Sequence, residues 1–353
     1  MNITDFSYEL PSELVGNKAI EPRDSCKLMV LNPDSNMISH HIFSELEGLL
    51  DQKCVLVLND TKVFPARLFG RKDSGGRTEV LLLRQISKES YLAIGKGHLR
   101  VGQSIIFNDH LQAKITNKNF DGEIVLQFNL SNSELLQAID KHGFTPLPPY
   151  ITGQDDELSL RQQYQTVYAQ KQGSAAAPTA GLHFTDDLLQ KLKDKGVEIE
   201  KITLHVGLGT FKPVSDEQVL ERKLHAEEYF IESDVANRLN FAKRQGKKII
   251  AVGTTTARTL ESQTNEEGLL LSGRGETSIF IQPGYKFKFV DGLITNFHLP
   301  KTSLLMMVSA LVSAPNSSKP FTTFQSSLIG QAYDQAISHQ YKFFSFGDAM
   351  LII

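Results

Sequence analysis

At 353 residues the chain is longer than one hydrophobic core usually serves, so two domains are expected. Hydrophobic content of 41% and charged content of 22% are those of a globular protein, and a net charge of −3 gives no global sign of a nucleic-acid binder, although a local basic patch is compatible with it. Two cysteines, Cys26 and Cys54, with no C-x-x-C argue against a disulfide framework, a zinc ribbon and a cysteine-ligated cluster.

The start, "MNITDFSYELPSEL", lacks the basic flank and apolar run of a signal peptide. The longest apolar run, "LLMMVSALVSA" from Leu304, has 11 residues and is too short for a bilayer, so a cytoplasmic protein with no membrane association is expected. Within residues 1–65, "CVLVLND" reads as a buried strand. From Arg67 to Leu130 come "TEVLLLRQ", "SYLAIG", "SIIF", "LQAKIT" and "EIVLQFN", separated by Gly, Asn and Asp. Close strands without helices predict a small all-β barrel or sandwich.

The period then changes. "SNSELLQAIDKHG" reads as a helix with Ser131 and Glu134 in capping-box spacing and a stop at Gly143. "TDDLLQKLKDKG" has Thr185 as N-cap and Gly196 as stop, followed by the strand "VEIEKITLHV". "SDVANRLNFAKRQG", with Ser233 as cap, is a helix leading into the strand "KKIIAVG". "TSIFIQ" and "KFKFVDGLITNF" read as a strand pair before a helix from about Lys301. The expected fold is mixed α/β: a large discontinuous domain, residues 1–65 and 150–353, with a small β domain inserted at 66–149.

Chemistry concentrates at strand ends. "LVLNDTKVFPARLFGR" carries Asp60 and then Arg67 at the domain junction, where clefts commonly hold ligands. In "SAAAPTAGLHFT", Ala177, Thr179 and Gly181 leave room for close backbone approach to a neighbour or a ligand. His183 and Phe184 follow, ahead of a helix end that favours a neutral imidazole. "HVGLGTF" places His205 before Gly207 and Gly209; Lys212 and Pro213 rule out a dinucleotide fingerprint. In "HAEEYF", His225 and Glu227 alternate on one face. "AVGTTTARTLES" brings Gly253, Thr254, Thr255 and Arg258 to a helix N-terminus suited to a carboxylate, phosphate or sugar hydroxyl. "ITNFHLPKTSLL" repeats the arrangement with Thr295, Asn296 and His298. No H-x-H or H-x-x-x-H spacing joins these histidines, so no metal is expected and acid–base work is the preferred reading.

Together these motifs, with "DFSYELPSELV", "YQTVYA" and "YKFFSFGDAMLI", make the chain closely similar to the S-adenosylmethionine:tRNA ribosyltransferase-isomerases of queuosine biosynthesis, from residue 5 to the C-terminus. The resemblance implies transfer and isomerisation of the ribosyl group of S-adenosylmethionine onto 7-aminomethyl-7-deazaguanine at the tRNA wobble position, giving epoxyqueuosine-tRNA, adenine and methionine. It implies a large domain built around a β-barrel with a smaller β domain inserted. S-adenosylmethionine is then a cosubstrate, no cofactor is required, tRNA is the partner, and a monomer is expected. Departures from the family pattern are Gln282, Glu228 and the order of Thr302 and Ser303.

The expected catalytic residues are His183, His205 and His298, with His183 as first choice for the base and Phe184 available for base stacking. A basic surface at Arg67, Arg71 and Lys72 is the candidate path for tRNA. Two other readings are a glycosylase or other pentosyltransferase, separated by the mass of the products, and a non-catalytic tRNA-binding module, which would sooner use Lys and Arg than loop histidines.

Overall fold

A computed structural model describes residues 3–119, 122–151, 156–207, 218, 221 and 223–353. Its centre is the strand Cys54–Asn59, in which every residue is buried. A run this apolar needs cover on both faces, and it sits between two parallel neighbours, Glu198–Leu204 and Lys248–Val252. These three strands belong to a nine-stranded sheet. It continues through Gly292–Asn296 and Ala349–Ile352 to Lys27–Asn32 and Met37–Ile42 on one side, and through Lys223–Ile231 to Gly273–Ile279 on the other.

Alternation along the central strands divides the core in two. Val55, Val57, Ile249 and Ala251 face the helices Ser233–Arg244, Thr254–Gln263, Ser303–Leu311 and Leu328–Ser338. Leu56, Leu58, Ile250 and Val252 face the helix Asp186–Asp194 through Leu188, Leu189 and Leu192. That helix is capped as its sequence suggests: the Thr185 hydroxyl accepts from the Leu188 N–H at 3.1 Å, and Gly196 takes a positive φ of 85°.

The second architectural unit is a closed antiparallel barrel. It comprises Arg67–Lys72, Arg77–Ser87, Ser90–Gly95, Ser104–Ile106, Gln112–Lys118 and Glu123–Phe128. The first of these strands is not among those the sequence pattern predicts; Gly70 lies where an added Cβ would meet Ile105 and the Ile106 carbonyl at 2.9 Å. The helix Asn132–His142 packs Leu135 and Ile139 into the barrel core. The chain enters the barrel through Thr61–Val63 and returns through Lys171–Ser174, and these two strands pair in parallel at the neck. The closed barrel is thus the inserted segment, while the larger part is organised on the sheet.

Three local expectations need correction. "TSIFIQ" and "KFKFVDGLITNF" do not pair: Gly273–Ile279 joins Lys223–Ile231, whereas Gly292–Asn296 lies between Lys248–Val252 and Ala349–Ile352. Ser233 is the first helical residue and Glu232 precedes it. Ser131 does precede its helix, but its side chain makes no capping bond. Gly143 is required by space rather than by conformation, since a Cβ there would lie 2.0 Å from the Pro65 carbonyl.

The alanine-rich stretch threads between four cores. Ala175 packs in the barrel, Ala176 and Ala180 on opposite faces of the sheet, and Ala177 against Tyr164 and Phe346. Gly181 is tighter still: a Cβ would stand 2.0 Å from the Tyr168 hydroxyl and 3.0 Å from Thr166 Cγ2. It therefore serves packing and does not line the small cavity. Gly181→Val is expected to lower unfolding free energy by about 1–3 kcal/mol or more, read from the denaturation midpoint. An unchanged midpoint would show that the loop can yield.

Candidate active site

Two adjoining cavities collect most of the polar residues expected to act. The larger, of about 480 Å³, lies between the barrel and the sheet. Leu83, Arg84, Tyr91 and Ile94 line it from the barrel side, and His205, Gly207, His225, Glu227 and Arg258 from the other. The smaller, of about 60 Å³, is walled by Ala177–Ala180, Gly253–Thr255 and Thr295–Leu299. Val206 and Leu304 border both, so the two cavities are neighbours.

His205 emerges at the end of Glu198–Leu204 with its ring against Gly173, where a Cβ would lie 2.7 Å from the imidazole. No other residue type leaves that space, and sequence reasoning did not single this glycine out. Nδ1 is 2.8 Å from the Thr61 hydroxyl. That hydroxyl is directed at the Lys171 carbonyl, 3.5 Å away, so its oxygen is left to accept from Nδ1–H. The lone pair then falls on Nε2, which has no partner among the described residues. Burial lowers the histidine below its ordinary pKa, opposed by the charges of Glu228 and Asp60. A neutral ring with its acceptor nitrogen free on a cleft is the arrangement a general base needs.

Arg258 is 3% exposed and reaches the cleft from the helix Thr254–Gln263. Its Nη1 donates to Glu227 Oε2 at 2.6 Å, and Nε donates to the Ile279 carbonyl at 3.3 Å. Nη2 is buried without a hydrogen-bond partner among the described residues. Glu227 Oε1 also accepts from the Gly207 N–H at 3.0 Å, which ties the glycine turn to the ion pair. A buried guanidinium with a spare donor favours an oxygen anion or carbonyl on the substrate. His225 stands exposed at the rim. Glu228, a departure from the family pattern, accepts from barrel residue Arg84 at 2.7 Å across the same rim.

The helix behind the small cavity begins at Gly253, whose φ is +91° and which has no side chain to cap the first turn. Thr256 bonds the Val252 carbonyl, while Thr254 and Thr255 line the cavity. Thr302, another departure, still caps its helix by accepting from the Leu305 N–H at 3.3 Å. His298 Nε2 lies 2.9 Å from the Thr295 hydroxyl, its backbone N–H donates to Tyr333, and its carbonyl accepts from Tyr8. Asn296 accepts from Thr179 and donates to His183.

Several expected site residues stand elsewhere. His183 has both ring nitrogens engaged, with Cys26 and Asn296, and lines neither cavity. Burial, then the charge of Arg23, lowers it to about 4. Phe184 is fully buried with its ring edge-on to Phe43, 5.0 Å between centroids, and is unavailable for stacking. Asp60 accepts from the Thr203 hydroxyl at 2.7 Å behind the cleft wall. Arg67 is held by the Leu147 carbonyl and Glu79, which makes it a fastener of the domain junction. Gly209 lies outside the described residues. Among the described residues no group of three or more His, Cys, Asp or Glu is placed to hold a metal, and no helix is long and apolar enough to cross a membrane.

The buried histidines predict acid sensitivity. His183 and His298 fall from the ordinary 6.5 to about 4 and about 3 through burial, so the unfolded chain binds more protons below 6.5. The stability these two rings contribute is fully present above 6.5 and is lost as the pH falls to about 4 for His183 and about 3 for His298. The melting temperature should therefore decline across that window, less steeply in His183→Gln. A flat profile in the wild type would contradict the burial of neutral rings.

An α/β chain with an inserted barrel thus brings a histidine suited to acid–base work and a buried arginine onto one cleft. Residues 3–352 match the family model described as queuosine biosynthesis protein. S-adenosylmethionine:tRNA ribosyltransferase-isomerase of Desulfitobacterium hafniense is 46% identical over 358 residues, covering 100% of both chains. The enzyme of the same name from Clostridioides difficile is 45% identical, again over 100% of both. The crystal structure of S-adenosylmethionine tRNA ribosyltransferase from Thermotoga maritima matches with a TM-score of 0.56 and 32% identity, covering 99% of this chain and 100% of that one. The chain belongs to the S-adenosylmethionine:tRNA ribosyltransferase-isomerase family of queuosine biosynthesis, and is a tRNA-modifying transferase-isomerase.

Proposed function

We propose that this enzyme moves the ribosyl group of S-adenosylmethionine onto 7-aminomethyl-7-deazaguanine at the tRNA wobble position, isomerising it there and releasing adenine and methionine, with His205 as the base. The observation that carries the reading is the Nε2 of His205, without a partner among the described residues, on the cleft that also holds the Arg258 donor left unpaired among them. The sulfonium acidifies the C5′ hydrogen of the ribose, and a neutral imidazole accepts that proton. Glu228 and Asp60 favour the imidazolium that results. That proton is then available to the departing adenine, so one histidine serves both directions of transfer. Arg258 suits the methionine carboxylate.

The product mass tests this. After reaction with modified tRNA, the target nucleoside should gain the ribosyl-derived unit as adenine and methionine appear. Adenine release without that gain would make the protein a glycosylase instead.

For tRNA, the expected basic surface narrows. Lys72 is spent on the His98 carbonyl, whereas Arg71 is exposed and stands directly across from Arg77 on the barrel. Like charges so placed repel unless a polyanion joins them. Arg71→Glu with Arg77→Glu should weaken tRNA binding and lower its salt slope by roughly one for each phosphate no longer neutralised. Unchanged affinity in the folded variant would put the tRNA path elsewhere.

A further inference from the structure

We propose that His183 is a positioning residue: wedged between Cys26 and Asn296, its ring locks the Asn296 amide and, through it, the Thr179 hydroxyl, so that the small cavity offers Thr179 as a hydrogen-bond acceptor. This rests on the reaction assigned above. His183 is 5% exposed, with Nδ1 3.2 Å from Cys26 Sγ and Nε2 3.0 Å from Asn296 Nδ2. Phe43 packs on the ring at 5.3 Å between centroids. A neutral imidazole has one donor and one acceptor. Nε2 accepts from the amide, so the proton sits on Nδ1, facing the sulfur. The amide is then fixed in one orientation, with Oδ1 turned to Thr179 Oγ1 at 2.8 Å.

Thr179 has one hydroxyl hydrogen, and Asn296 takes it. What remains for a ligand is lone pairs. Thr179 and Asn296 both line the small cavity, whereas His183 does not. The group recognised there carries an N–H or O–H donor, a nucleobase amine or a ribose hydroxyl. His183 thus acts on substrate through two intermediaries and exchanges no proton with it.

Four variants test this: His183→Leu, His183→Gln, Thr179→Val and the double His183→Leu/Thr179→Val. His183→Leu should raise KM for S-adenosylmethionine or for tRNA by up to about a hundredfold, the order that misplacement of a supporting group costs, and which KM rises identifies the donor. The acid limb of the pH–rate profile should stay in place. Thr179→Val should raise the same KM, and the double variant should be no worse than Thr179→Val alone, because the losses share one path. His183→Gln, whose Oε1 can accept from Asn296, should recover much of the affinity. Loss of the acid limb in His183→Gln, a normal KM in Thr179→Val, or multiplying losses in the double variant would overturn the proposal. If His183→Leu does not fold, Thr179→Val and His183→Gln decide it. A wild type that consumes no S-adenosylmethionine would instead defeat the assigned reaction.

Discussion

In His205→Gln, turnover is expected to fall by about a hundredfold to ten-thousandfold, the usual cost of losing a general base. The ring is held by Thr61 and Gly173 with Nε2 open to the cleft, and glutamine fills similar space without a basic nitrogen. The pH dependence gives the sign. Burial holds the folded pKa below 6.5, so the base is neutral above that range and activity is lost only as the pH falls through the lowered value. In His205→Gln that acid limb should vanish from kcat/KM. A variant with wild-type turnover and an unchanged limb would remove His205 from the reaction.

Arg258 carries the second large effect, and two substitutions separate its contributions. Arg258→Met removes the guanidinium that pairs with the buried Glu227 carboxylate, which costs about 3–5 kcal/mol of stability. Arg258→Lys keeps one positive charge beside Glu227 but cannot present a second, separately directed donor. A hydrogen bond to a charged group contributes about 1.5–3 kcal/mol, so kcat/KM for S-adenosylmethionine should fall about tenfold to a hundredfold in a folded Arg258→Lys enzyme. Equal kcat/KM in Arg258→Lys and wild type would mean that Nη2 meets no substrate atom.

The parts of the fold legible in the sequence are those fixed by neighbours along the chain. Thr185 and Gly196 bracket their helix because capping and left-handed stops act within one turn. "CVLVLND" reads as a buried strand because its unbroken apolar run leaves no face suited to water, and all six residues of Cys54–Asn59 are buried. Pairing is different. "TSIFIQ" and "KFKFVDGLITNF" are adjacent in sequence yet join different strands, and nothing local in either segment specifies its partner.

The same division separates the histidines. His183 sits in the more suggestive motif, but its partners Cys26 and Asn296 lie 157 and 113 residues away and occupy both nitrogens. His205 sits in a plainer motif, and what frees its Nε2 is Thr61, 144 residues upstream. Phe184 reads as a stacking ring until Phe43 covers it. The motif "GTTTAR" points to a site, but only the helix geometry shows that Thr254 and Thr255 serve the small cavity while Arg258 serves the large one.

The most direct test of this mechanism is release of adenine and methionine from S-adenosylmethionine, measured with tRNA that carries or lacks 7-aminomethyl-7-deazaguanine, for wild type and His205→Gln side by side. Equal amounts of both products are expected from the wild type with the modified tRNA alone, and a rate at least about a hundredfold lower from folded His205→Gln. Release that ignores the modified base, or a variant that matches the wild type, would contradict the mechanism.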